Sequence, residues 1–386
     1  MERNTDLGTS DNRGSWYVVR GSRVAVRVHG LLNIRTTNIE HRTSSRGLVM
    51  PNIAVYGAGS WGSALAVLLA NAGHQVALIG RDPDAMERMR KQRENTHYLP
   101  GVVLPSRLLP TTELRQLKAD LVVFSVPSHS VREAARIVKP YLRPGCIVVN
   151  TAKGLEDGTH LRLSEVLTEE LPQNPIAVLS GPSHAEEVGR DMPTTVVVGS
   201  DVETAVAVQD MMMTSKFRIY TNPDVIGVEL GGALKNVIAL CTGIAEGLGF
   251  GDNTKAALMT RGLAEIARLG VALGGHPLTF AGLSGVGDLI VTCTSLHSRN
   301  RRAGVALGQG KPLEIVLKEV GMVVEGVRAA RVAYQLSKEK NVSMPITEQA
   351  YKVLFEGADP QAAVVDLMSR GKRHELEEVV EMSWLR

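Results

Sequence analysis

The sequence predicts an α/β domain built on a parallel sheet, followed by an all-helical second domain, and three observations predict it. From Met50, short Val/Ile-rich runs alternate with stretches of helical spacing. A Gly-x-Gly-x-x-Gly turn directly follows the first of those runs. Strand signals then stop after Pro223, while helical spacing continues to about residue 370. With 386 residues, 44% hydrophobic and 22% charged, the chain is long enough for two or three domains with proper cores and is neither disordered nor fibrous in composition.

The elements follow in order. Residues 1–49 carry eight Arg and no Lys against four acids, and their apolar piece is broken by Arg20, Arg23 and Arg27. They are expected to be an extension, either disordered or the product of a misassigned start at Met50, and they lack the apolar core of a signal peptide. Strand 53–56, helix 63–72, strand 75–79 and helix 83–93 come next, then strands 121–126, 147–150, 176–179, 195–198 and 217–220. Such alternation indicates a parallel sheet covered by helices on both faces, here an NAD(P)-binding domain over 50–222. The uncharged stretch 52–80 has the length of a membrane span, but its glycines and its switch of period read as strand, turn, helix, turn, strand, so no stable membrane insertion is expected. Helical stretches at 224–248, 253–273, 313–320, 327–339, 346–355 and 360–370 make 223–386 an all-helical domain for substrate and catalysis.

Charge and cysteine usage exclude some functions. Beyond the leader the chain has 35 basic and 36 acidic residues, so it lacks the basic excess that a sequence-independent nucleic-acid binder needs. Cys146, Cys241 and Cys293 have no CxxC spacing; no disulfide framework or metal site is written here, and a reducing cytoplasm fits.

Gly57, Gly59 and Gly62, with Ser60 and Trp61 between them, sit where a strand turns into a helix. Glycines let that turn close and let the backbone approach a pyrophosphate, whose charge the helix N-terminus favours. The second strand ends at Ile79-Gly80-Arg81, with Asp82 just beyond. An acid there would bind a ribose 2′-hydroxyl; Arg81 suits a 2′-phosphate instead, so NADPH is the preferred cofactor, and Asp82 leaves NADH open.

Four constellations carry the chemistry. Thr151-Ala152-Lys153-Gly154 lies at the C-terminal end of a strand, where open α/β sheets bind ligands; Lys153 is a candidate to approach substrate and nicotinamide, or else a solvated loop lysine. Ser180-Gly181-Pro182-Ser183-His184-Ala185 offers backbone amides and the Ser183 hydroxyl, with His184 more readily structural than an acid or base. Between Val225 and Ile244 only Glu229 and Lys235 are charged, as in a helix buried within its domain. Burial lowers a lysine's pKa, which makes Lys235 a candidate proton donor and acceptor near neutrality. Finally, Gly285-Val286-Gly287-Asp288-Leu289 precedes Ser298-Arg299-Asn300-Arg301-Arg302, where two or three adjacent guanidiniums form a compact anion site. Asp288 cannot help a phosphate, and is assigned to hydroxyls or to orienting Lys235.

Together these motifs, with the 95–101 segment Asn-Thr-His-Tyr-Leu-Pro-Gly and Val-Val-Glu-Gly-Val at 323–327, resemble the bacterial NAD(P)-dependent glycerol-3-phosphate dehydrogenase family from about residue 52 to 370. The resemblance implies hydride transfer between NADPH and C2 of dihydroxyacetone phosphate, giving sn-glycerol 3-phosphate for phospholipid synthesis. Carried over, Ser60, Trp61, Arg81, Tyr98, Ala185, Val323 and Glu325 contact NADPH, and Lys153 contacts both ligands. Gly181, Ser183, Asp288, Ser298, Arg299 and Asn300 hold the substrate, Arg299 also reaches NADPH, and Lys235 moves the proton. The family usually lacks a leader. The alternative within enzymes is a 3-hydroxyacid or 6-phosphogluconate-type dehydrogenase, which also joins a dinucleotide domain to a helical domain with a Lys-Asn pair. A homodimer is left open, since the helical domain offers surfaces and nothing in the sequence selects one.

Overall fold

Ten strands form in the computed structural model, which describes residues 51–372; the leader and the expectation attached to it lie outside that range. They are β1 (Asn52–Tyr56), β2 (Gln75–Ile79), β3 (Glu94–Asn95), β4 (Leu99–Val103), β5 (Leu108–Thr111), β6 (Leu121–Phe124), β7 (Ile147–Asn150), β8 (Ile176–Ser180), β9 (Thr194–Gly199) and β10 (Phe217–Asn222). Eight of them make one sheet in the order β10, β9, β8, β7, β6, β1, β2, β5, and β3 pairs with β4 in a separate hairpin.

The sheet corrects the expectation of uniformly parallel pairing, because β8 and β9 run antiparallel. The segment joining them holds only a five-residue helix, Ala185–Gly189. That helix rises about 7.5 Å, less than half the length of the strands it would have to traverse, so the chain returns at the same end of the sheet. β9 and β10, joined through a full helix, Val202–Met212, are parallel again. Val/Ile-rich strands buried on both faces give two core layers. One face packs against helices 60–71 and 202–212, with Leu65, Leu69, Val208 and Met212; the other packs against helices 131–138 and 163–170, with Phe124, Val131, Val166 and Leu167.

After β10 every regular element among the described residues is helical. Val225–Gly247, hereafter the central helix, starts at Asp224, whose Oδ1 accepts from the Gly227 N–H at 2.9 Å. It is apolar nearly all the way round and is covered by Asp252–Ala272, Asp288–Thr294, Arg299–Gly308 and Glu325–Glu339. Against Arg299–Gly308 the approach is backbone to backbone. A Cβ on Gly304 would lie 2.1 Å from Leu240 O, and one on Gly243 would lie 2.2 Å from Arg301 O. Gly304→Ala is therefore expected to force the two helices apart and to destabilise the protein by about 1–3 kcal/mol, the usual scale of overpacking. Urea denaturation checks this; an unchanged midpoint would show that the helices separate freely.

Candidate active site

The dinucleotide end forms where the strand order reverses, between β1 and β6. Gly57 takes φ +115°, and a Cβ there would lie 2.2 Å from Ser125 O, so only glycine brings the β1 loop onto the β6 loop. A Cβ on Gly62 would meet Gly57 O at 1.9 Å, whereas one on Gly59 would meet nothing within 4 Å. Gly59 is also the N-cap of helix 60–71 and no side chain caps that end, so the first helical N–H groups face the open space beside it. This cradle suits a pyrophosphate. Ser60 and Trp61 stand in the same first turn, half-buried, with Trp61 packed on the sheet core.

The 95–101 segment is tied to this loop by Asn95, whose Nδ2 donates to Ala58 O at 3.1 Å and to Ser63 Oγ at 2.8 Å. Its Oδ1 accepts from the Tyr98 N–H, and the Tyr98 ring stays exposed, edge-on to His97. Arg81 is exposed at the end of β2. Asp82 is engaged elsewhere: its Oδ1 accepts from Asp84 N–H at 2.9 Å and Ala85 N–H at 3.1 Å, capping helix 83–92. Glu325 reaches over from the helical half, where its carboxylate accepts from the Ser128 N–H at 3.2 Å and the Ser128 hydroxyl at 2.6 Å. Val323 is half-buried just before it, and Ala185 is buried as the first residue of its short helix.

Three of the assigned residues, far apart in the sequence, meet at one point. Asp288 begins helix 288–294, directly after a π-turn over Leu283–Gly287. Its Oδ2 accepts from Lys153 Nζ at 2.7 Å, and its Oδ1 accepts from Lys235 Nζ. Lys153 also donates to Gly181 O at 2.9 Å. The side chains of Lys235 and Asp288 are 5% and 2% exposed and that of Lys153 is 20% exposed, so two cations share one sealed carboxylate. Burial, with Lys153 adding to it, pushes Lys235 down to about 7 despite Asp288. Burial alone would raise Asp288, but the two lysines together outweigh it and hold the carboxyl below its ordinary range.

Several partners of this trio escaped the sequence reading. Thr292, one helical turn after Asp288, accepts from Lys235 Nζ at 2.6 Å and donates to Asp288 O at 2.6 Å. Asn236 joins the neighbouring elements: its Nδ2 reaches Lys153 O at 3.4 Å, and its Oδ1 accepts from Asn300 Nδ2 at 2.8 Å. Asn300 Oδ1 in turn accepts from the Gly326 N–H at 2.9 Å. Glu229, the other charge of the central helix, is an anchor. It accepts from the Ser164 N–H at 2.9 Å, the Ser164 hydroxyl and Arg162 Nη1 at 3.0 Å, and burial raises its pKa.

At the anion end, Ser298 Oγ caps helix 299–308 by accepting from the Arg301 N–H at 3.2 Å, and Arg299 is exposed in the first turn. The expected cluster of two or three adjacent guanidiniums narrows to two here. The segment is a helix, so Arg301 points away from Arg299 and pairs with Glu246 at 2.6 Å, whereas Arg302, three residues on, stays on the face of Arg299 and its charge acts on it. Gly181 has φ +125°, and its carbonyl also accepts from Ser183 Oγ at 2.9 Å. His184 follows, with its Nε2 buried and without a hydrogen-bond partner.

A pyrophosphate cradle at a sheet switch point, together with a buried lysine able to exchange its proton near neutrality, fits a nicotinamide-dependent dehydrogenase. Comparison with known proteins narrows that class. Family models described as NAD-dependent glycerol-3-phosphate dehydrogenase N-terminus and C-terminus match residues 52–206 and 224–365. A glycerol-3-phosphate dehydrogenase [NAD(P)+] of Desulfitobacterium hafniense is 72% identical over 332 residues, 86% of this chain and 94% of the relative. One from Pelotomaculum thermopropionicum is 60% identical over 333 residues, 85% of this chain and 95% of its own. The crystal structure of glycerol-3-phosphate dehydrogenase from Coxiella burnetii superimposes with a TM-score of 0.80 at 39% identity, covering 83% of this chain and 99% of that one. The chain belongs to the NAD-dependent glycerol-3-phosphate dehydrogenase family.

Proposed function

We infer that this protein catalyses the reversible NAD(P)H-dependent reduction of dihydroxyacetone phosphate to sn-glycerol 3-phosphate, the precursor of glycerophospholipids. The family and its 72% identical relative support the reaction, and the carrying observation in the molecule is the buried Lys235–Asp288–Lys153 trio. The 3-hydroxyacid and 6-phosphogluconate-type alternative is not favoured by these matches. The three cysteines are free thiols, and we assign the enzyme to the cytoplasm.

The glycine cradle and the exposed Arg81 fit NADPH, and Tyr98, Ala185, Val323 and Glu325 are assigned to it with Ser60 and Trp61. When bound, the nicotinamide exchanges a hydride with C2 of the substrate. As negative charge grows on the carbonyl oxygen, Lys235 supplies the proton, and Lys153 places a second positive charge beside it. Asp288 holds both ammonium groups, and Thr292 fixes the direction of Lys235. Gly181 and Ser183 line the substrate, and Ser298, Arg299 and Asn300 hold its phosphate end, so that binding remote from C2 orients the carbonyl.

The test is NADPH oxidation on adding dihydroxyacetone phosphate, and no turnover would overturn the reading. The same assay checks the cofactor. Because Asp82 is spent on a helix cap, Arg81 is left to meet a 2′-phosphate. NADPH should serve at least as well as NADH, and Arg81→Asp should shift kcat/KM toward NADH; an unchanged ratio would remove Arg81 from the account.

A further inference from the structure

His184 is a polar group beside the assigned substrate residues that the reaction leaves idle. Its Nε2 is sealed from solvent with no partner, a state that costs about 1–3 kcal/mol when nothing fills it. The ring lies between the two segments assigned to substrate: it follows Ser183 directly, and it sits 5.8 Å from the ring of His297, the residue before Ser298. Burial, then the charges of Lys235 and Lys153, push its pKa down, while Glu186 and Glu187 pull the other way. That shift favours the neutral ring, which has one N–H to give.

We propose that His184 is a ligand of the substrate's phosphate, its ring N–H donating to a phosphate oxygen beside Arg299. The approach to His297, the residue before Ser298, points to the phosphate rather than to the carbonyl, which already has Lys235, although the charges of Lys235 and Lys153 also reach the ring. The proposal rests on the reading of Ser298 and Arg299 as the phosphate end, and the experiment separates the two.

Sulfate, a dianion of phosphate shape, is the probe, used as a competitive inhibitor against dihydroxyacetone phosphate. In His184→Phe the inhibition constant for sulfate and the KM should both rise about tenfold, the scale of one hydrogen bond to a charged group. kcat should stay within about threefold and NADPH affinity should be unchanged. His184→Gln, which keeps a donor, should recover most of the loss. Dihydroxyacetone, without phosphate, should be reduced equally by parent and variant. Arg299→Gln is the control. If it weakens sulfate while His184→Phe does not, the His184 proposal fails alone. If neither weakens sulfate, the phosphate reading fails as well. An equal loss on dihydroxyacetone would make His184 a packing residue and overturn the proposal.

Discussion

Lys235→Met is expected to lose about 10²–10⁴ in kcat, the range for a positioned general acid, or roughly 3–5 kcal/mol at 1.36 per decade. Methionine keeps the length and apolar character of the side chain inside the central helix, so the fold and NADPH affinity should survive. Charge balance favours survival too: without Lys235, Asp288 still holds Lys153 at 2.7 Å, one anion to one cation. The variant should therefore be at least as stable as the parent at neutral pH. Its pH dependence should differ in a stated direction. Lys235 titrates near 7 when folded, below its ordinary 10.5, so between those values the unfolded chain binds a proton that the folded chain has released. Stability of the parent then rises with pH across that window, and Lys235→Met should lose that rise. Paired assays of NADPH binding and turnover decide the role. A variant that binds NADPH and turns over within tenfold of the parent would pass the proton to Lys153.

The central helix and its buried lysine were legible because a long apolar run with two charges has few ways to fold, and an all-round apolar helix must be interior. The glycine turn was legible because its spacing is local. What was hidden depends on chain returns rather than on residue pattern. Strand direction is absent from the composition of β8 and β9, and it follows from a helix too short to cross the sheet. The pairing of Asp288 with Lys235 was one of the two readings of that carboxylate, and the structure has that contact, but its pairing with Lys153, 135 residues away, was not read, since no periodicity reports such a contact. Thr292 and Asn236 were passed over because small polar residues in helices usually serve their own backbone. Thr292 does so as well, and its bond to Lys235 adds a second role. Arg301 was grouped with Arg299 because the arginines of 298–302 were read by adjacency in sequence; recognising Ser298 as an N-cap would have put those two arginines on different faces.

The same charge count predicts the opposite outcome at the carboxylate. Asp288→Asn keeps shape and hydrogen-bonding capacity but leaves two buried ammonium groups facing each other without an anion. Removing one partner from a buried ionic cluster typically costs about 3–5 kcal/mol, and Asp288→Asn should fall in that range near pH 6. The chain's cheapest relief is to drop a proton, and Lys235 is the more buried of the two, so its pKa should fall further below 7. The stability deficit should accordingly be greatest in mild acid and shrink as pH rises from the new value to about 7, the window in which Lys235 is protonated in the parent and neutral in the variant. Catalysis should follow the same titration. Reduction needs protonated Lys235, so the log of kcat/KM bends downward as pH rises, near 7 in the parent and at least one unit lower in Asp288→Asn. Oxidation of glycerol 3-phosphate needs the neutral amine, so its acid limb should move down by the same amount, leaving the variant relatively better at oxidation than at reduction. Profiles in both directions, with urea denaturation at pH 6 and pH 9, measure this. If both bends stay where the parent has them, Asp288 does not set the proton affinity of Lys235. If Asp288→Asn matches the parent in stability at pH 6, the two lysines are not both charged in the folded enzyme.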